Sequence, residues 1–399
     1  MDIFFTEYDK NIAGESRRDP LGLQPIWAYF GSKVIKNITT VSNDIRGFRE
    51  TLLCLSIAGE CVNSHGGMLK EYILLFEQLF IYAMIENKQA EGIIGNDNGT
   101  SRFKIENGNP TIGWKADQAP GTILASEISL GYYGRYKTPL MNMGIIDSQS
   151  CIKPLSIDIE ALYGKDYLIV KDKFMSFLKK RNHKFEDFDK KGRNALRNCV
   201  CGPFRPCEKN FWLKSINSDN SQDHKYDLLM DLCLKINKDY DEWPGAEIFY
   251  KDLFRKSKSH DVENILKIEP FLLCVEFVFY NALNSRKLDN VKLPKEKYFN
   301  DSLSRAMTVK IGGSNALVDR FDELIKDCGL YQNLARGVLK YHKFVCEQKH
   351  SSAWVEVGRD GSIRPFVHDD NIEDYKLWRR DYYSYTYHGI IRGIDEISL

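Results

Sequence analysis

From Pro20 onward, apolar residues recur at intervals of three and four. Leu23, Ile26, Trp27, Phe30 and Val34 share one helical face. Thr39, Thr40 and Ser42 supply start signals for a second helix, striped by Ile45, Phe48, Leu52 and Leu55. After His65-Gly66-Gly67 comes the most hydrophobic stretch, Met68 to Ile85. Lys70, Glu71, Glu77 and Gln78 interrupt it as one narrow polar stripe, which predicts a helix buried on most sides. A membrane span would place Glu77 near the bilayer centre, at a cost of several kcal/mol.

Residues 91–120 break the pattern. Glu91 to Gly113 holds five glycines and four asparagines, which predicts a long loop or small hairpin. Ser129–Ile146 then reads as a helix ending in a Gly turn, followed by Leu155-Ser156 and another helix. This order fits two packed helices joined by a turn, or a winged-helix-like module. Helical patterns continue over 165–250, 260–282, 301–308, 315–327 and 332–348. Phe271, Leu272, Val275, Phe277 and Val278 mark a buried helix.

Near the C-terminus the period changes. Trp354–Val357 and Ser362–Phe366 flank Gly358-Arg359-Asp360-Gly361, the signature of a β-hairpin. Asp374–Ile394 reads as an aromatic-rich final helix. The expectation is a mainly α-helical protein with a candidate winged-helix-like module and a small C-terminal hairpin. Its segments are 1–90 (N-terminal helical unit), 91–165 (loop plus module), 166–350 (helical domain with a basic segment) and 351–399 (hairpin and aromatic helix).

The chain has 399 residues, 43% apolar and 28% charged, with a formal net charge of +1. That excludes a uniformly basic nucleic-acid coat but not a local basic face. The charge is in fact segregated. Residues 165–214 carry 14 Lys/Arg against 6 Asp/Glu, and residues 215–250 carry 3 against 8. Asn217–His224 is the expected linker between them, and residues 351–399 return 6 against 9. Met1–Asn11 contains Asp2, Glu7 and Asp9 and no apolar core of signal-peptide length. The ten cysteines, several inside apolar helices, then read as reduced thiols of a cytoplasmic protein.

Three stretches could carry binding. In the first, Lys171, Lys173, Lys179, Lys180, Arg181, Lys184, Lys190, Lys191, Arg193 and Arg197 alternate with Phe174, Phe177, Phe185 and Phe188. Cations can contact phosphates while rings stack on bases. Tyr167, Val170, Phe174 and Phe177 also have the spacing of a core-facing helix, which would leave only the cations outside. In the second, Cys199, Cys201 and Cys207 lie within nine residues broken by Gly202, Pro203 and Pro206. With a fourth ligand from His183, His224 or Cys233 they could hold a structural zinc ion; otherwise they are loop thiols. In the third, Trp378-Arg379-Arg380 and Tyr382–His388 are rich in the residues of interface hot spots. They could equally pack beneath the hairpin.

Catalytic signatures are weak. His260-Asp261 lacks the partner ligands of a phosphohydrolase, and Glu356-Val-Gly-Arg359 lacks the lysine of a nuclease motif. Glu247 to Lys251 has the wrong spacing and falls on a helix. Ile311–Asn315 reads as a loop capping a helix, with an anion site as the alternative.

The run Asp19-Pro20-Leu21-Gly22, Trp27, Thr39-Thr40 and Arg46-Gly47-Phe48 resembles the opening of uncharacterised bacterial proteins encoded among anti-phage defence genes. Gly131-Tyr132-Tyr133 and Met143-Gly144-Ile145-Ile146 add to the resemblance, which covers the first 165 residues. It implies a non-catalytic adaptor or sensor subunit beside a nuclease or ATPase, contacting DNA or partner subunits. It assigns no catalytic residue. A metal-dependent nuclease or phosphohydrolase is the alternative expectation.

Overall fold

The structure, a computed structural model, describes residues 19–39, 41–113, 123–124, 127–154, 158–181, 183–217, 225–240, 242–367 and 374–396. The N-terminal segment before Asp19, Thr40, Leu155-Ser156 and the linker from 218 to His224 lie outside these residues. The first helices are α1 (Gln24–Val34), α2 (Ile45–His65), α3 (Leu69–Glu86), α4 (Asn96–Ile105), α5 (Glu127–Leu130) and α6 (Tyr132–Asn142). Next come α7 (Ile159–Tyr163), α8 (Lys165–Leu178), α9 (Lys190–Cys201), α10 (Pro206–Ile216) and α11 (Lys225–Asp239). The chain continues with α12 (Ala246–Ser257), α13 (His260–Leu283), α14 (Glu296–Ala306), α15 (Asn315–Cys328) and α16 (Leu334–Gln348). It closes with β1 (Val355–Val357), β2 (Ile363–Pro365) and α17 (Ser384–Glu396). Among the described residues no helix is long and apolar enough to cross a membrane.

Contacts divide the chain into two compact units, each assembled from separate stretches. A mid-chain unit spans Lys36–Asp241 and Thr386–Leu399; a hairpin unit spans Met1–Ile35 and Glu242–Tyr385.

In the mid-chain unit, α2 is buried nearly all round. Its Phe48 meets Tyr136 of α6 edge to face at 4.8 Å. A Cβ on Gly47 would overlap the Tyr136 ring, so only glycine allows that approach. Phe76 and Phe80 of α3 meet Phe174 of α8 and Tyr132 of α6 at 5.5 and 5.3 Å. Helix α2 is capped by Asp44, whose carboxylate accepts from the Arg46 amide at 2.8 Å. Thr39 and Ser42 instead close the turn before it.

The glycine-rich segment departs from expectation, because residues 96–105 form a helix. Gly99 is the reason: a Cβ there would stand 2.9 and 3.1 Å from Ile85 and Ile81, so α4 lies directly on α3. Tertiary contact overrides the poor local propensity. Glu127–Leu130, Tyr132–Asn142 and Ile159–Tyr163 form short helices, with an Ile146–Ile152 bridge between the last two. Among the described residues no strand pair forms a wing here.

In the hairpin unit, β1 and β2 pair antiparallel with Glu356 opposite Arg364, and Gly361 turns at φ +78°. Helix α13 buries Phe271, Leu272, Val275 and Val278. Residues 374–383 are not helical, contrary to the expected single C-terminal helix. Arg380 is drawn into the interior to pair with Glu269 (3.1 Å) and Glu276 (2.9 Å), and Tyr382 donates to Glu269 at 2.6 Å. Tyr382 and Tyr383 have φ +46° and +70°, which no helix accommodates. The C-terminal rings pack on Trp27 and Tyr250, not beneath the hairpin.

Candidate functional site

The antiparallel pair α8–α9 carries both candidate surfaces of the mid-chain unit, one at each end. At one end, the N-terminus of α8 and the C-terminus of α9 border a cavity of about 530 Å³. Its far wall is the loop from Gly202 to Arg205, and one residue fixes that loop. Arg49 of α2 donates through Nη1 to the carbonyls of Val200 (2.8 Å) and Gly202 (2.7 Å). Its Nε and Nη2 reach the Glu208 carboxylate of α10 at 2.7 and 3.1 Å. The guanidinium lies over Phe204 at 4.5 Å. The backbone carbonyl of Arg49 accepts from Tyr163 at 2.7 Å.

This arrangement positions and does not bind, because every nitrogen of Arg49 is already engaged. Burial raises the Glu208 carboxyl above its usual range, and Arg49 partly offsets that. A buried ion pair of this kind contributes little net stability but fixes geometry.

Three polar side chains face the cavity from its rim. Lys165 is exposed and has no ion pair among the described residues. Arg205 is exposed, donates from Nη1 to Ala161 at 3.2 Å and makes no ion pair among the described residues. Asn198 reaches Asp166 at 3.4 Å. Gly164, at φ +67° and ψ −154°, brings the chain under Arg205; a Cβ there would stand 2.5 Å from its Nη1. That backbone conformation is open only to glycine.

The ten cations of the basic stretch, spread along the pair, divide into two sets. Lys171 pairs with Glu60 at 3.0 Å, Lys173 with Asp189 at 2.5 Å and Lys184 with Glu106 at 3.7 Å. Arg193 grips Glu86 at 2.8 Å and lies over Phe185. Arg197 reaches Asn87 and Asn198. These five make side-chain contacts within the mid-chain unit. Lys179, Lys180, Arg181, Lys190 and Lys191 are exposed and make no ion pair among the described residues. The interleaved rings are core: Phe174, Phe177, Phe185 and Phe188 are each at most 1% exposed. They are not open to stack on bases.

The cysteines go separate ways. Cys199 is buried, which pushes its thiol up, while Cys201 lies 3.5 Å from the Met84 sulfur and Cys207 donates to Ala161 at 3.4 Å. His183 packs on Phe177 at 5.0 Å, and burial lowers its pKa. Among the described residues no three His, Cys, Asp or Glu side chains stand close enough to share a metal.

In the hairpin unit, Arg379 is exposed while Arg380 is internal. His260 opens α13 on the surface, 3.5 Å from Glu263. Glu356 is exposed on β1, and Glu247 and Lys251 form an ion pair along α12 at 2.6 Å. Ser314 caps α15, accepting from the Leu317 amide at 3.3 Å.

Sequence reasoning missed Arg49, Glu208, Gly164 and Arg205. Arg49 did leave a signal, a cation set inside the apolar stripe Phe48–Leu52. Compared with known families, curated proteins and solved structures, the chain matches none.

Proposed function

We propose that the protein is a non-catalytic adaptor or sensor subunit that holds nucleic-acid phosphates on the basic end of the α8–α9 pair. It works within a bacterial defence complex, beside nuclease or ATPase subunits. One observation carries this reading: five exposed cations at that end make no ion pair among the described residues, while four neighbours, Lys171, Lys173, Lys184 and Arg193, are paired with carboxylates. Lys190 and Lys191 occupy the first turn of α9, which holds no acid. Asp189 already caps the α9 amides, so a phosphate there would be met by the lysine side chains. The nearby acids Asp187 and Asp189 are occupied, accepting from the Lys184 and Gly192 amides at 2.9 Å each. With the rings buried, contact goes to the backbone and is insensitive to base sequence. The N-terminal resemblance supports the defence setting.

Mobility shifts with single- and double-stranded DNA at two salt concentrations test the reading. The expected result is binding that weakens with salt and is lost when Lys179, Lys180 and Arg181 are changed to Glu. No shift, or a shift untouched by charge reversal, would overturn it. Magnesium- or manganese-dependent loss of the DNA would instead favour the nuclease.

A further inference from the structure

The cavity at the opposite end of the α8–α9 pair has a lining too specific for a packing gap. We infer that it binds a nucleotide through its phosphomonoester, either a free mononucleotide or the phosphorylated end of a strand. Its volume of about 530 Å³ far exceeds a bare phosphate and lies in the range of roughly 300–1,000 Å³ for small-molecule sites. Lys165 and Arg205 bring two cations to one mouth, neither in an ion pair among the described residues, and a guanidinium presents a fork suited to phosphate oxygens.

The Asp166 carboxylate also faces the cavity, which would repel a bare anion. Asn198 Nδ2 donates to Asp166 Oδ2 at 3.4 Å, and the second Asp166 oxygen and second Asn198 N–H are of the kind that sugar hydroxyls and base edges satisfy. Pro203 offers an exposed apolar surface to a ring. Arg49 and Glu208 neutralise each other, so the charges facing a ligand are two positive and one negative. The wall is preformed, because the carbonyls of Val200 and Gly202 are held from beneath by Arg49. Preorganised walls reduce the entropy lost on binding.

This site does not depend on the basic cluster. Isothermal titration with nucleoside monophosphates, the matching nucleosides and inorganic phosphate tests the free-nucleotide source. Single strands with 5′-phosphate, 3′-phosphate or hydroxyl ends test the strand source. In either case the phosphorylated form should bind at least about tenfold more tightly than its unphosphorylated partner. K165E/R205E should abolish the preference while the protein keeps a cooperative thermal transition, since both residues are exposed. R205Q should weaken it. The K179E/K180E/R181E variant should retain it, which separates this site from the cluster. Three outcomes would overturn the inference: no preference for phosphorylated forms, inorganic phosphate binding as well as the nucleotide, or an unchanged preference in K165E/R205E.

Discussion

Arg49 and Glu208 meet as a two-pronged ion pair, at 2.7 and 3.1 Å, with side chains only 2% and 1% exposed. The pair joins α2 to α10 across 159 residues of sequence. Replacing Arg49 with Met strands the Glu208 carboxylate and two carbonyls at once. The expected loss is about 3–5 kcal/mol in urea denaturation. E208Q keeps the carbonyl contacts and one acceptor but leaves the buried Arg49 guanidinium without its counter-charge, so it should destabilise as well. The double variant should fall short of the sum of the two, as coupled partners do.

Gly164 has a backbone that other residues reach only with strain, and Arg205 lies against it. G164A should cost about 1–3 kcal/mol and displace the Arg205 guanidinium from the cavity mouth. Denaturation measures the first effect. Loss of any ligand that R205Q also loses measures the second.

Glu50 is fully buried in the mid-chain unit, and its carboxyl is held well above the ordinary 4.5 by burial first and the Glu77 carboxylate second. Thr51 donates to it at 3.3 Å. A carboxyl with a raised pKa favours the folded state fully below its unfolded value. That contribution fades as pH rises through the folded value. E50Q mimics the protonated form. The variant should therefore gain melting temperature over the natural protein as pH rises from 4.5 toward neutrality. An advantage independent of pH would contradict this account of Glu50.

His342 shows the opposite sign. Its Nδ1 contacts the Pro20 carbonyl at 2.8 Å, and its Nε2 accepts from the Trp354 amide at 2.9 Å. The ring must therefore be neutral, with its proton on Nδ1, and burial lowers its pKa below 6.5. An unfolded histidine takes the proton more readily. Stability is thus complete above about 6.5 and is lost as pH falls through the unfolded and then the folded value. Nitrogen NMR should show an unprotonated Nε2 at neutral pH. Urea midpoints should drop below pH 6.5 in the natural protein and stay flatter in H342Q.

Much of the fold was legible in the sequence because burial wrote it there. The run Met68–Ile85 became α3 (Leu69–Glu86), and the Arg-Asp-Gly turn closed the hairpin. Residues 96–105 were misread because Gly99 signals a turn locally but serves close approach to Ile81 and Ile85. The final helix was overextended because nothing local reveals that Arg380 turns inward to Glu269 and Glu276. The basic stretch was visible, but its division into paired and unpaired cations was not. Glu60, Glu86 and Glu106, which neutralise part of it, lie about 80 to 110 residues away. The cavity was invisible for the same reason: its walls come from α2, α7, α8, α9, α10 and the loop between the last two.

The central claim concerns Lys179, Lys180, Arg181, Lys190 and Lys191, and salt dependence addresses it most directly. The logarithm of the DNA association constant should fall linearly with the logarithm of salt concentration, with a slope of roughly 0.7 to 0.9 per neutralised phosphate. Changing Lys179, Lys180 and Arg181 to Gln should reduce that slope by about two to three, while K171Q/K173Q should leave it nearly unchanged. Equal slopes for the natural protein and the triple variant, or a slope of zero, would contradict phosphate binding at this end of the helix pair.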